Sequence, residues 1–219
     1  FCNAAVLAGV LVPLLVLFGV RNGVYEALVG RLLANPATLQ IDTRGNAALT
    51  PADAAEVRAW PETAFVTLKT RSLFDYGNIR RAGSREIREA VLMPSGPGDP
   101  ILAPAPGLGP GEVAVSAELA SQLGLAPGDG VDIITQAPER PRQLVVPARV
   151  AQVVARERGS GRVVHAGIEV LDLLEAFYDG YALPDHGIAA GRPLAGRVIE
   201  FEGMRAYASG LEALAPLQA

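Results

Sequence analysis

Residues Phe1 to Val20, FCNAAVLAGVLVPLLVLFGV, hold no charged side chain. An apolar run of that length, wound as a helix rising about 1.5 Å per residue, matches the hydrocarbon thickness of a bilayer. A transmembrane helix is predicted over 1–20. Beyond Arg21 the helical spacing persists, with Val24, Leu28 and Leu32 on one face and Arg21, Glu26 and Arg31 elsewhere. The spacing predicts a stalk over 21–35 that stops at Asn35-Pro36, because the residue before a proline is pushed out of helical geometry. A secretory signal would have a basic n-region, a shorter apolar core and a small-residue cleavage site. Here no Lys or Arg precedes the run and Pro13 lies inside it. A membrane helix tolerates such a proline with a kink. Because the chain opens on Phe1, its natural N-terminus is expected upstream, and the Lys/Arg asymmetry that sets orientation is not countable.

From Pro36 the period shortens. Leu39 and Ile41 alternate with Gln40 and Asp42 as a short strand, and Arg44-Gly45-Asn46 reads as a turn. Thr50-Pro51-Ala52-Asp53 is a helix start, with Thr50 as N-cap and Asp53 placed to reach back to it. Ala54, Val57 and Trp60 form one face, Pro61 ends the helix, and a strand follows at Ala64 to Lys69. Such a unit buries too little apolar surface to stand alone. Arg85 to Met93 reads as a strand and Ser95 to Gly111 as a long Pro/Gly loop, its start at Ser95 to Asp99 either a plain surface loop or a mobile contact loop. Val113 and Val115 form a strand, Ser116 caps a helix with Leu119, Ala120 and Leu123 inward, and Gly124 ends it in the left-handed conformation. Pro127 to Gly130 turns into a strand at Val131 to Thr135. Further strands are predicted at Leu144 to Ala155 and Arg162 to Ile168, and a helix at Leu171 to Phe177. The chain closes with strands at Arg197 to Phe201 and Met204 to Tyr207, then a Ser209-capped helix through Leu211, Leu214 and Leu217. A strand-helix-strand before the middle and a strand-helix start after it is what an inserted domain leaves behind, the outer pieces pairing into one sheet.

The predicted fold class is α+β, with about 180 residues beyond the stalk for one large or two small domains. Net charge is -4, from 19 Lys and Arg against 23 Asp and Glu, and no basic block stands out, which argues against nucleic acid as a partner. The single cysteine, Cys2, falls in the apolar run, so the folded part has no disulfide or thiolate metal site. The only histidines are His165, in a Val-rich strand, and His186, in LPDHG; each reads as a surface or satisfied group. No H-E-x-x-H, C-x-x-C, G-x-S-x-G or phosphate-binding G-x-x-x-x-G-K-[ST] occurs. Asp172, Glu175, Asp179 and Asp185 lack the spacing of a calcium loop and read as a solvated helix face. Ser95 to Asp99 is glycine-rich, yet no helix opens after it to cradle a phosphate. No catalytic, cofactor or metal residue is predicted.

The order of parts resembles the permease subunits of the MacB/LolC/LolE/FtsX-like ABC transporters. The residues that carry the resemblance are FGVRNGVYEALVGRLLANP, Phe18 to Pro36, and EVAVSAELASQLGLAPGDGVDI, Glu112 to Ile133. The latter resembles that family's strand, capped helix, Leu-Gly, Pro-Gly-Asp, strand passage. The resemblance implies a split α/β (Porter-like) subdomain at 36–70 and 196–219 with a mostly-β (Sabre-like) subdomain inserted at 71–195. It implies a fragment, with the rest of the second Porter half and three more membrane helices to follow. It further implies a bacterial inner-membrane permease that does no chemistry itself. Its partners would be a cytoplasmic ABC ATPase, a second permease, membrane lipid, and a periplasmic protein or lipoprotein. Two other classes compete. A single-pass anchored binding module predicts a stop soon after Ala219 and no neighbouring ATPase; an anchored hydrolase needs a catalytic constellation around His165 or His186.

Overall fold

The computed structural model of the chain describes residues 2–43, 48–71, 75–105 and 107–218, and side chains within α1 only for 11–30. The turn predicted at Arg44 to Asn46 lies outside them. Helix α1 (Cys2–Ala34) runs uninterrupted through Pro13. Its segment Leu11–Gly30 is long and apolar enough to cross a membrane, and none of it is buried against the rest of the chain. Asn35 then accepts the Ala37 N–H and opens the 3-10 turn Pro36–Leu39, which leads into β1 (Gln40–Asp42).

Two sheets follow, in a mixed α+β fold. The first has three antiparallel strands in the order β1, β9 (Gly203–Ala208), β2 (Thr63–Lys69). Its central strand comes from the far end of the chain: Tyr207 lies opposite Gln40 on one side and Phe65 on the other. Helix α2 (Pro51–Arg58) packs on this sheet, and its capping box forms, Thr50 accepting the Asp53 N–H while Asp53 accepts the Thr50 N–H. Ala54, Leu68 and Phe201 make a small core there.

The second sheet closes on itself. Strands β3 (Tyr76–Arg81), β4 (Ile87–Ser95), β8 (Val163–Gly167), β5 (Glu112–Ser116), β7 (Leu144–Val154) and β6 (Gly130–Thr135) form a six-stranded barrel in that order. The β4–β8 and β5–β7 pairs are parallel and the other four antiparallel. Alternate residues point inward, so Ile79, Leu92, Val113, Val115, Ile133 and Val164 fill the interior. Helix α3 (Ala117–Leu123) plugs it with Leu119 and Leu123, capped by Ser116 and ended by Gly124 at φ 61°. Helix α4 (Ile168–Tyr178) leaves β8 directly and adds Leu171, Leu174 and Phe177.

Several expectations are corrected. Arg197 to Phe201 is not a strand: β1 and β2 occupy both edges of β9, so this segment makes only one bridge, Leu49 to Phe201, and leaves Val198 exposed. Ser209 does not cap a helix. Its N–H donates to the Glu62 carbonyl and its hydroxyl to that of Pro61, so Gly210 precedes a 3-10 turn, Leu211–Ala213, and a short α5 (Leu214–Gln218). The α2 helix ends at Arg58, short of Trp60. Strand β3 had no sequence expectation. It shows Gly77 inward, where a Cβ would come within 3.0 Å of Leu92, and glycine weakens a strand signature.

Candidate functional site

Of the polar residues singled out in the sequence, His165, Ser95 and Asp99 lie where the small sheet meets the barrel. Val164 and Ala166 of β8 point into the barrel, so His165 between them points out, beside Met93 of β4 and Ala114 of β5. Ser95 at the end of β4 shares that outer wall, and the segment after it folds back over the wall. Asp99 accepts the Ile101 N–H at 3.0 Å and so caps the 3-10 turn Pro100–Leu102; Ile101, Leu102 and Leu108 are buried against Ala114 and Val154. The loop expected over Ser95 to Gly111 is thus in part a packed cover. An apolar Ile-Leu pair between prolines needs somewhere to bury.

Onto this cover comes β9. Arg205 is 1% exposed and Asp99 2%, and the Arg205 Nη2 donates to Asp99 Oδ2, which also accepts the Ser95 hydroxyl at 2.7 Å. Both charges are removed from water and each needs the other. Burial, with the positive charge of Arg205 added, pushes the His165 imidazole down to about 3, so at neutral pH it is uncharged. Its Nδ1 and the Arg205 Nε are buried without hydrogen-bond partners among the described residues. The expectation of a surface or satisfied His165 is therefore corrected.

The polar line continues across the sheet. The Arg205 guanidinium lies 5.3 Å from the Tyr207 ring centre, and the Tyr207 hydroxyl donates to Gln40 Oε1 at 3.0 Å. Gln40 in turn donates to Asp42 at 2.7 Å, and Lys69 donates to Asp42 at 3.2 Å. Burial, with Asp99 and Asp42 adding to it, raises the Tyr207 phenol to about 12. Asp99 in the barrel cover is thereby linked to β1, the strand that α1 feeds, and the turn after α1 also lies against the turn Pro100–Leu102. The line joins the small sheet to the barrel cover through side chains.

Asp172, Glu175 and Asp179 do not form a solvated face, whereas Asp185 is exposed. Asp172 meets Arg197 at 2.8 and 2.9 Å, and Arg71 donates to both Glu175 and Asp179. Glu175 is buried, and burial raises its carboxyl although Arg71 opposes the shift. Asp185 and His186 stand apart in the 3-10 turn Pro184–His186. Sequence reasoning missed Arg205, Tyr207 and Arg71; their only signal is charge or a phenol within strand-like or linker residues. On the face of the small sheet away from Arg205 lies a cleft of about 760 Å³ lined by Ile41, Val57, Trp60, Met204, Ala206 and Leu217 among others.

No protein-family model and no curated protein matches the chain. Among solved structures, it is similar to the crystal structure of the extracellular domain of the noncanonic ABC-type transporter YknZ from Gram-positive bacteria. The sequence identity is 12% and the TM-score 0.44, over 85% of this chain and 81% of that one.

Proposed function

We propose that the chain is the first membrane helix and extracytoplasmic domain of an ABC transporter permease. The small sheet (36–70 and 196–219) would serve as the Porter-like subdomain and the barrel segment (71–195) as the inserted Sabre-like one. The observation that carries the reading is α1 itself. Its Leu11–Gly30 segment has an apolar surface that none of the described residues covers, yet α1 enters the folded part within six residues of its own end at Ala34, through Asn35 and β1. Exposed apolar helix of that length is stable in lipid and costly in water.

On this reading a cytoplasmic ABC ATPase supplies the energy, a second permease pairs with the first, and the extracytoplasmic part binds and moves a substrate such as a lipoprotein, drug or peptide in the bacterial inner membrane. Motion of α1 reaches β1, then Gln40, Tyr207 and Arg205 in β9, and then Asp99 on the barrel. The chain's own residues perform no bond-making step. Purification of the natural full-length protein from membranes, with mass spectrometry of what accompanies it, tests this. A stoichiometric ABC ATPase supports the reading, and a preparation that never contains one contradicts it. The second reading, a single-pass anchored binding module, draws on the open cleft beside Trp60 and Leu217; it predicts the preparation without ATPase.

A further inference from the structure

The chain passes between the small sheet and the barrel twice, once from the end of β2 at Lys69 to β3 at Tyr76, and once from the end of α4 at Tyr178 to β9 at Gly203. Arg71 belongs to the first passage and Arg197 to the second. Both reach the same face of α4, because Asp172 and Glu175 stand three residues apart on it and Asp179, its C-cap, follows one turn after Glu175. The Arg71 fork spans one turn, Nε donating to Glu175 and Nη2 to Asp179 at 2.5 Å. Arg197 straddles one carboxylate, Nη1 donating to Asp172 Oδ2 at 2.9 Å and Nη2 lying 2.8 Å from Oδ1. Two-point contacts of this kind fix orientation as well as distance.

Another contact of α4 with the small sheet is of a different kind. Ile168, its first residue, packs both on the barrel core and on the small core of Ala54, Leu68 and Phe201. Apolar contact is non-directional and tolerates rocking. Ion pairs with forked geometry do not. The two arginines also differ: the Arg197 side chain is 9% exposed and that of Arg71 43%.

We propose that the acidic face of α4 is a clasp that sets the angle between the small sheet and the barrel, with Ile168 as the pivot, Arg197 as the fixed half and Arg71 as the half that opens. The clasp is internal to the chain and does not rest on the transporter reading. When Arg71 lets go, Glu175 and Asp179 are left without that partner, and the sheet rocks on Ile168 within the limit set by Arg197 on Asp172 and by Arg205 on Asp99.

The test uses the full chain in lipid nanodiscs, with Cys2→Ser and spin labels at Ala55→Cys on α2 and Gln122→Cys on α3, both exposed positions. Pulsed dipolar spectroscopy then reads the sheet-to-barrel distance. The parent gives one narrow distribution. Arg71→Met broadens it at least twofold with little change in barrel unfolding, and 1 M salt acting on the parent broadens it in the same sense, since the exposed half is the one that salt screens. The charge exchange Asp172→Arg with Arg197→Asp keeps the distribution narrower than Arg197→Met does. An unchanged distribution in both Arg71→Met and high salt overturns the proposal. If Arg71→Met fails to fold, the salt measurement on the parent decides by itself.

Discussion

Arg205 and Asp99 carry the heaviest electrostatic demand among the described residues, since neither is more than 2% exposed. Breaking a buried pair from one side leaves an uncompensated charge, whereas replacing both by apolar groups can be close to neutral. Arg205→Met is therefore expected to lose roughly 3–5 kcal/mol in urea unfolding, and Arg205→Met with Asp99→Leu to recover most of it. Equal losses in the single and double variants would show that the pair matters through shape alone. The neighbouring His165 gives a pH signature. Its folded-state value near 3 lies below the ordinary 6.5, so the unfolded chain takes a proton that the folded one refuses. Stability from this residue is complete above pH 6.5 and falls as the pH drops toward 3, by ~5 kcal/mol at the limit. Asp75 acts the other way: burial, opposed by Lys69 and reinforced by Glu202, raises it to about 6, so protonation between pH 6 and 4 favours the fold. The difference between parent and His165→Leu isolates the histidine. That difference should grow in favour of the variant as the pH falls below 6.5, and parallel curves would contradict a neutral buried imidazole.

Individual elements were legible where their ends carry chemistry of their own. Thr50-Pro51-Ala52-Asp53 announces α2, and Ser116 with Gly124 brackets α3, because caps and left-handed glycines are local devices. Thr50→Ala should cost about 1 kcal/mol, read as a lower urea midpoint with an unchanged slope. Elements set by distant partners were not legible. Strand β3 exists because β4 and β6 flank it, and the closure of the barrel depends on the parallel pairs β4–β8 and β5–β7, which no neighbouring residue encodes. The cover after Ser95 has the sequence of an open loop because its proline and glycine content masks Ile101, Leu102 and Leu108. Its path requires Gly107, at φ 110°, where a Cβ would sit 2.5 Å from the Pro97 Cα. Gly107→Ala should lift the cover, exposing Ile101 and Leu102; faster hydrogen exchange confined to residues 99–108 and the facing β5 is the expected result. Exchange unchanged there would mean that the backbone absorbs the methyl elsewhere.

At the scale of the molecule, the polar line from Asp99 to β1 was invisible in the sequence because Gln40 and Tyr207 come from strands at opposite ends of the chain and Asp99 from the barrel cover between them. The apolar opening was the opposite case, a signal that needs no tertiary partner. These two features meet at Asn35, where an uncovered helix becomes the edge strand of a sheet keyed to a barrel. The account therefore stands on α1 residing in lipid. Alkaline carbonate extraction of membranes from cells expressing the chain, compared with Leu15→Asp combined with Leu17→Asp, tests this most directly, because both leucines are about two-thirds exposed. The parent is predicted to stay in the membrane pellet and the double variant to be released in folded form. A parent chain that leaves the membrane as readily as the variant would contradict the account.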